Sequence, residues 1–100
     1  MTRYLIKVTY TEGEHKGTSY LLRKSGYVTD DNSIQWEDTT YKTEGIARRV
    51  CKRLYADNEL SRKCERMDEQ IRIKRGGKPK DWYIYESQTY EPYPVEVVPD

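Results

Sequence analysis

Apolar side chains at Tyr4, Ile6, Val8 and Tyr10 alternate with Leu5, Lys7 and Thr9, the period-two pattern of a β-strand with one buried face. A turn-forming stretch, Glu12-Gly13-Glu14-His15-Lys16-Gly17, follows, and Thr18 to Arg23 repeats the alternation with Tyr20 and Leu22 on one side. Two such runs around a glycine-bounded turn predict an N-terminal β-hairpin. Breaks at Ser25-Gly26 and at Asp30-Asp31-Asn32-Ser33 leave Tyr27-Val28 and Ile34-Gln35-Trp36-Glu37 as short strands.

The period changes after Thr43. Thr43 is placed to cap a helix N-terminus, Glu44 favours its positive end, and Ile46, Ala47, Val50, Cys51 and Leu54 recur at helical spacing. At 100° per residue these five span about 140° of arc. Arg48, Lys52 and Tyr55 lie on the opposite side, with Arg49 and Arg53 at the flanks. The apolar phase resets after Asp57-Asn58, where Leu60, Cys64, Met67 and Ile71 form a thinner stripe. That reset predicts a second helix from about Glu59.

Ile71-Arg72-Ile73-Lys74 fits a helix end or a strand, and Gly76-Gly77 stops either one. Lys78-Pro79-Lys80-Asp81 reads as a loop and Trp82-Tyr83-Ile84-Tyr85 as a strand. Pro92, Pro94 and Pro99 hold the tail extended, placing it as an edge strand through Val95 and Val97. The expected fold class is α+β: an antiparallel sheet with an N-terminal β-hairpin, a middle strand near Trp36 and the Trp82 strand, packed on one or two central helices.

One hundred residues with seventeen Leu, Ile and Val, ten Tyr, two Trp and no Phe make a single small domain, 1–100, with a thin core and many rings at its boundary. Its extended acidic C-terminal segment covers about 86–100. The net charge of +1 hides a strong sorting. Residues 42 to 80 hold thirteen Lys and Arg against six acids, and residues 81 to 100 hold five acids and no base. A local field of this kind, rather than the total, decides which macromolecule is attracted.

Chemistry is sparse by comparison. His15 is the single histidine and sits in the charged turn, Cys51 and Cys64 lack metal-ligand spacing, and Asp30-Asp31-Asn32 lacks the glycine and distal glutamate of a calcium loop. Both cysteines are expected as free thiols, Cys64 in the core. No hydrolase, kinase or dinucleotide signature occurs, so the expectation is a protein that is not an enzyme and uses no cofactor or metal. No apolar run approaches the ~18 residues of a membrane span, and the expected location is cytoplasmic.

The candidate binding residues are the helical bases Arg48, Arg49, Lys52, Arg53, Arg62, Lys63 and Arg66 with Tyr55, and the glycine-flanking cluster Lys74, Arg75, Lys78 and Lys80. Trp82 offers a further ring for stacking. The acids Asp81, Glu86, Glu91, Glu96 and Asp100 are placed to neutralise the basic helix in cis or to meet a basic groove in trans.

Small size, high charge, many tyrosines and a hairpin followed by basic helices resemble the compact accessory proteins of bacteriophages and mobile elements, including anti-CRISPR proteins. These inhibitors share no motif, so the likeness is one of type and assigns no residue. It implies a cytoplasmic protein in a bacterial host cell that occupies a surface of a host effector. The expected function is therefore a non-enzymatic inhibitor or adaptor of a protein or ribonucleoprotein partner, such as a CRISPR-Cas effector. The alternative is a nucleic-acid-binding accessory protein using the basic helix face. A homodimer is compatible with a thin core and surplus rings.

Overall fold

The computed structural model describes residues 1–77 and 87–98. In chain order the elements are β1 (Thr2–Tyr10), β2 (Ser19–Leu22), β3 (Val28–Thr29), β4 (Gln35–Trp36), a 3-10 turn (Glu37–Thr39), α1 (Glu44–Lys74) and β5 (Gln88–Val98). The five strands form one sheet in the order β3-β2-β1-β5-β4. The α+β class and the N-terminal hairpin stand as read from the sequence: β1 and β2 pair antiparallel with Ile6 opposite Leu22 and Val8 opposite Tyr20. The short strands near Val28 and Trp36 are also present.

Two expectations about the sheet need correction. It is mixed rather than purely antiparallel, because β4 runs parallel to β5, with Gln35 opposite Val97 and Trp36 opposite Val98. The acidic tail is an edge strand only in part: it pairs with β1 along the register from Thr2 opposite Glu96 to Tyr10 opposite Gln88, and at Val97 and Val98 it is covered on its other side by β4. The expected Trp82 strand lies outside the described residues.

The prolines explain how such a tail enters a sheet. The amides of Thr11 and Val97 bond to Ser87 O and Met1 O, so odd-numbered residues of β5 turn their backbone groups toward β1. Pro92 and Pro94 are even, opposite Ile6 and Tyr4. Their missing N–H groups would have faced away from β1, so no rung of that ladder is lost, and the outward edge has fewer free donors.

The even-numbered side chains of β1 face α1. Ile6, Val8, Tyr41, Ala47 and Cys51 form the buried cluster, edged by Tyr4, Tyr20, Leu22, Val50, Leu54 and Tyr90. On the other face Leu5 and Leu21 are buried, and a polar strap covers the sheet end. Buried Gln35 accepts from Arg23 Nε at 3.2 Å and donates to Thr29 Oγ1 at 3.2 Å and to Ser33 O at 3.1 Å. Buried Thr40 accepts from Arg3 Nε at 2.7 Å, and Arg3 also reaches Thr40 O at 3.0 Å. Gln35 and Thr40 thus both have hydrogen-bond partners, as a low-dielectric site requires.

The largest departure is the helix. The sequence reset at Asp57-Asn58 predicts two helices, yet α1 continues without a break through 31 residues, Glu44 to Lys74. No Pro occurs in this span and its one Gly, Gly45, is in the first turn, so the backbone ladder has no reason to stop. Thr43 caps the start as expected, its Oγ1 accepting from Ile46 N at 3.2 Å. The end is a Schellman closure: Gly77 N donates to Arg72 O, Gly76 N donates to Ile73 O, and Gly76 takes φ +85°, a conformation costly for other residues. Residues 71 to 74 are accordingly helical rather than extended.

At 1.5 Å per residue α1 is about 46 Å long, and the molecule measures 57 Å along its longest axis. The buried positions of α1 are Ala47, Cys51, Asn58 and Arg62, and none lies beyond Arg62. Lys63 to Lys74 therefore extend about 18 Å past the last buried turn. No described helix is long and apolar enough to cross a membrane.

Candidate interaction face of the long helix

Because α1 is one helix, all of its bases share one cylinder. Arg48, Arg49, Lys52, Lys63 and Arg66 fall within about 100° of arc, and Arg53 lies about 40° beyond. All six are exposed, and so is Tyr55. Arg48 is bound to Glu44 at 2.6 Å in an i,i+4 pair, with most of its side chain still in water. Arg49, Lys52, Arg53, Lys63 and Arg66 have no ion pair among the described residues. From Arg49 to Arg66 the rail is about 26 Å long.

The other expected site residues divide. Lys74 and Arg75 are exposed at the C-terminal end of α1, where their charge also favours the negative pole of the helix dipole. Lys78 and Lys80 lie outside the described residues, as does Trp82.

Arg62 does not belong to this face. Its side chain is only 10% exposed and is gripped by Glu59 at 2.9 Å and by Glu12 from the hairpin turn. It is a clamp between the β1–β2 turn and the helix. Arg62→Ala is expected to lower unfolding stability by about 1–3 kcal/mol, less than a fully buried pair would lose because both glutamates can rehydrate. Lys63→Ala, one residue on but exposed, is expected to change it by less than about 0.5 kcal/mol. Denaturant titration of the two variants checks the contrast.

The two thiols are free; Cys51 is buried on the core stripe as the spacing predicts, whereas Cys64, expected in the core, is not. Cys51 is in the core, where burial pushes its pKa up while the nearby Arg48 charge opposes the shift. Cys64 is exposed on the outer side of the helix. Leu60, Met67 and Ile71 are likewise 61%, 53% and 47% exposed. Ile46, read as part of the core stripe, sits at its margin, 38% exposed.

The described tail acids do not neutralise the helix. Glu96 binds the Thr2 hydroxyl at 2.7 Å and the Met1 ammonium at 3.1 Å, and these contacts, the hydroxyl first, lower its pKa. Glu91 stands opposite Lys7 in the β1–β5 register. Asp81, Glu86 and Asp100 are outside the described residues. Among the described residues no tail acid forms an ion pair with a base of α1.

One concavity escaped the sequence reading. A groove of about 710 Å³ opens on the sheet face away from α1, lined among others by Lys7, Arg23, Asp30, Asp31 and Tyr93. Lys7 Nζ stands 5.9 Å from the centre of the Tyr93 ring. Its two cations and two acids balance, so it has no net attraction for an anionic partner. The Asp30 turn itself is closed locally, with Oδ1 accepting from Asn32 N and Ser33 Oγ. Among the described residues no cluster of three or more acidic, histidine or cysteine side chains is placed to hold a metal.

No family model matches the chain, and no curated protein or solved structure matches it either.

Proposed function

We propose that this protein is a non-enzymatic inhibitor or adaptor that lays the basic face of α1 on an anionic surface of a protein or ribonucleoprotein partner in the bacterial cytoplasm, in the manner of anti-CRISPR proteins. The observation that carries the reading is the row of exposed bases, Arg49, Lys52, Arg53, Lys63 and Arg66, without ion pairs among the described residues, on a helix that outruns its own sheet. Tyr55, 47% exposed, stands within about 60° of Arg48 and Lys52 on the same face. A ring set among arginines is the composition of a protein-interface anchor.

The alternative, direct nucleic-acid binding, draws on the same rail, whose length would follow a phosphate backbone. Salt separates the two. Neutralising several phosphates makes affinity fall steeply with ionic strength, whereas an interface anchored by a ring and desolvated arginines depends on it less. The test is affinity capture from a bacterial lysate with and without nuclease, comparing the wild type with Arg49→Glu/Lys52→Glu. Both positions are exposed, so the variant keeps the wild-type melting temperature. A protein partner that survives nuclease and is lost in the charge reversal supports the proposal. Retention of nucleic acid alone, removed by nuclease, overturns it in favour of the alternative.

A further inference from the structure

We propose that the outer stripe Leu60, Cys64, Met67 and Ile71 is the seam of a parallel two-stranded coiled coil between two copies of this chain. The four positions are spaced by four, three and four residues, the a and d spacing of a heptad in which Leu60 and Met67 occupy d and Cys64 and Ile71 occupy a. They lie about 120° around the helix from the core stripe of Ala47, Val50, Cys51 and Leu54. One helix therefore packs on its own sheet with one side and leaves a second apolar line to solvent, on a surface otherwise crowded with charge.

The flanks select both occupant and direction. Lys63 and Asp68 border the stripe on opposite sides, five residues apart, at the g and e positions. In a parallel pair a g residue faces the e residue of the next heptad on the other helix. Lys63 of each copy then meets Asp68 of the other, twice by two-fold symmetry. An antiparallel pair would set Lys63 against Gln70 and Asp68 against Ser61, losing both attractions. Neither Lys63 nor Asp68 has an ion pair among the described residues.

The same heptad register limits the seam. The preceding d and a positions are Arg53 and Asp57 and the following d is Lys74, so the contact is confined to about two heptads. An isolated peptide of that length would not hold a helix. Here the first half of α1 is already fixed on the sheet, and the distal turns only propagate it. Two copies joined in this way carry two basic faces side by side, which raises avidity for an extended anionic partner; Lys63 then serves the seam's rim, while Arg49 and Lys52 remain clear of it.

Sedimentation velocity of the full chain over a range of concentrations tests the proposal. The wild type is expected to move from monomer to dimer, and Met67→Lys/Ile71→Lys to remain monomeric, with a melting temperature equal to the wild type's at concentrations where both are monomers. Asp68→Lys is expected to weaken association by about tenfold, and the exchange Lys63→Asp/Asp68→Lys to restore it. Oxidation by diamide, which takes up the two electrons and two protons of a thiol pair, should link Cys64 to its mate. That product should be lost in Cys64→Ser and in Met67→Lys/Ile71→Lys, and kept in Cys51→Ser. A wild type that stays monomeric throughout overturns the proposal. So does a dimer without the Cys64 link or without rescue by the charge exchange. A melting temperature that falls sharply in Met67→Lys/Ile71→Lys at concentrations where the wild type is monomeric also overturns it, since the stripe would then be covered within one chain. These variants leave Arg49 and Lys52 intact, so failure here is distinguishable from failure of the partner-binding reading.

Discussion

Ile6→Ala is expected to lower the free energy of unfolding by about 2–5 kcal/mol, while Ile71→Ala changes it by less than about 0.5 kcal/mol. The two substitutions remove the same atoms. Ile6 is 1% exposed and sits in the cluster with Val8, Tyr41, Ala47 and Cys51, so truncation leaves a cavity as well as losing transfer energy. Ile71 is 47% exposed on the outer side of the helix, where Ala is also the better helix former. Few side chains share the burial in this core, so one truncation removes a large fraction of the stability. For a domain of this size each kcal/mol shifts the melting temperature by roughly 4–8 °C. Thermal and denaturant unfolding followed by circular dichroism would read both, at low protein concentration so that self-association does not enter. Equal losses at the two sites would mean that the distal half of α1 belongs to the folding core.

What the sequence made legible was local. The alternation in β1 and β2 and the Thr43 cap are each written within about ten residues, and each is where the pattern puts it. The misreadings come from relations across the chain. The phase reset at Asp57-Asn58 predicts a helix break because a continuous helix would bring the second stripe out of register with the sheet. The structure has that outcome, because backbone propensity kept the helix intact and the stripe was left outside. Arg62 looks like its neighbours Lys63 and Arg66, yet its partner Glu12 is fifty positions away. Nothing in a helical charge pattern marks which arginine a distant turn will take.

The tail shows the same limit. Three prolines announce extended backbone, but only the β1 register places Pro92 and Pro94 on the outward side of β5 and lets the strand enter the sheet. The parallel pairing of β4 with β5 likewise joins residues 35–36 to residues 97–98, a contact that two-residue strands cannot announce. Exposure along α1 was more legible than the strand order. Exposure of a basic face follows from helical periodicity alone, and the structure subtracts Arg62 from it while keeping Arg49, Lys52, Arg53, Lys63 and Arg66 in water.

Raising the pH from 9 through 12 is expected to unfold the protein, and the tyrosines along the sheet–helix boundary supply the reason. Tyr90 is pushed up from 10.0 to about 12, first by burial and then by the nearby Tyr20, Tyr10 and Asp57. Tyr20 is raised by burial and by Tyr10; Tyr41 is raised by burial, with Arg53 opposing. Cys51 is raised by burial from an ordinary value of 9.0, extending the effect to lower pH. In each case the folded state holds its proton more tightly than the unfolded chain. The stabilisation is then complete below the unfolded value and is lost as pH climbs through the folded one. For Tyr90 a rise of that size corresponds to at most roughly 2–3 kcal/mol, and the solvent still touching the ring leaves about 1–2 kcal/mol. Added to the contributions of Tyr20, Tyr41 and Cys51, this is a large share of what a small domain has. Tyr90→Phe should flatten the alkaline limb while lowering stability at neutral pH, since the hydroxyl donates to Gln88 Oε1 at 2.7 Å. Tyr27→Phe, at a ring 74% exposed, should leave the curve where it is. Circular dichroism and tyrosinate absorbance recorded on the same samples distinguish the outcomes. Unfolding that follows tyrosinate formation supports the boundary rings as the titrating groups. A fold that persists while all ten tyrosines ionise would show that their hydroxyls reach water without disturbing the core.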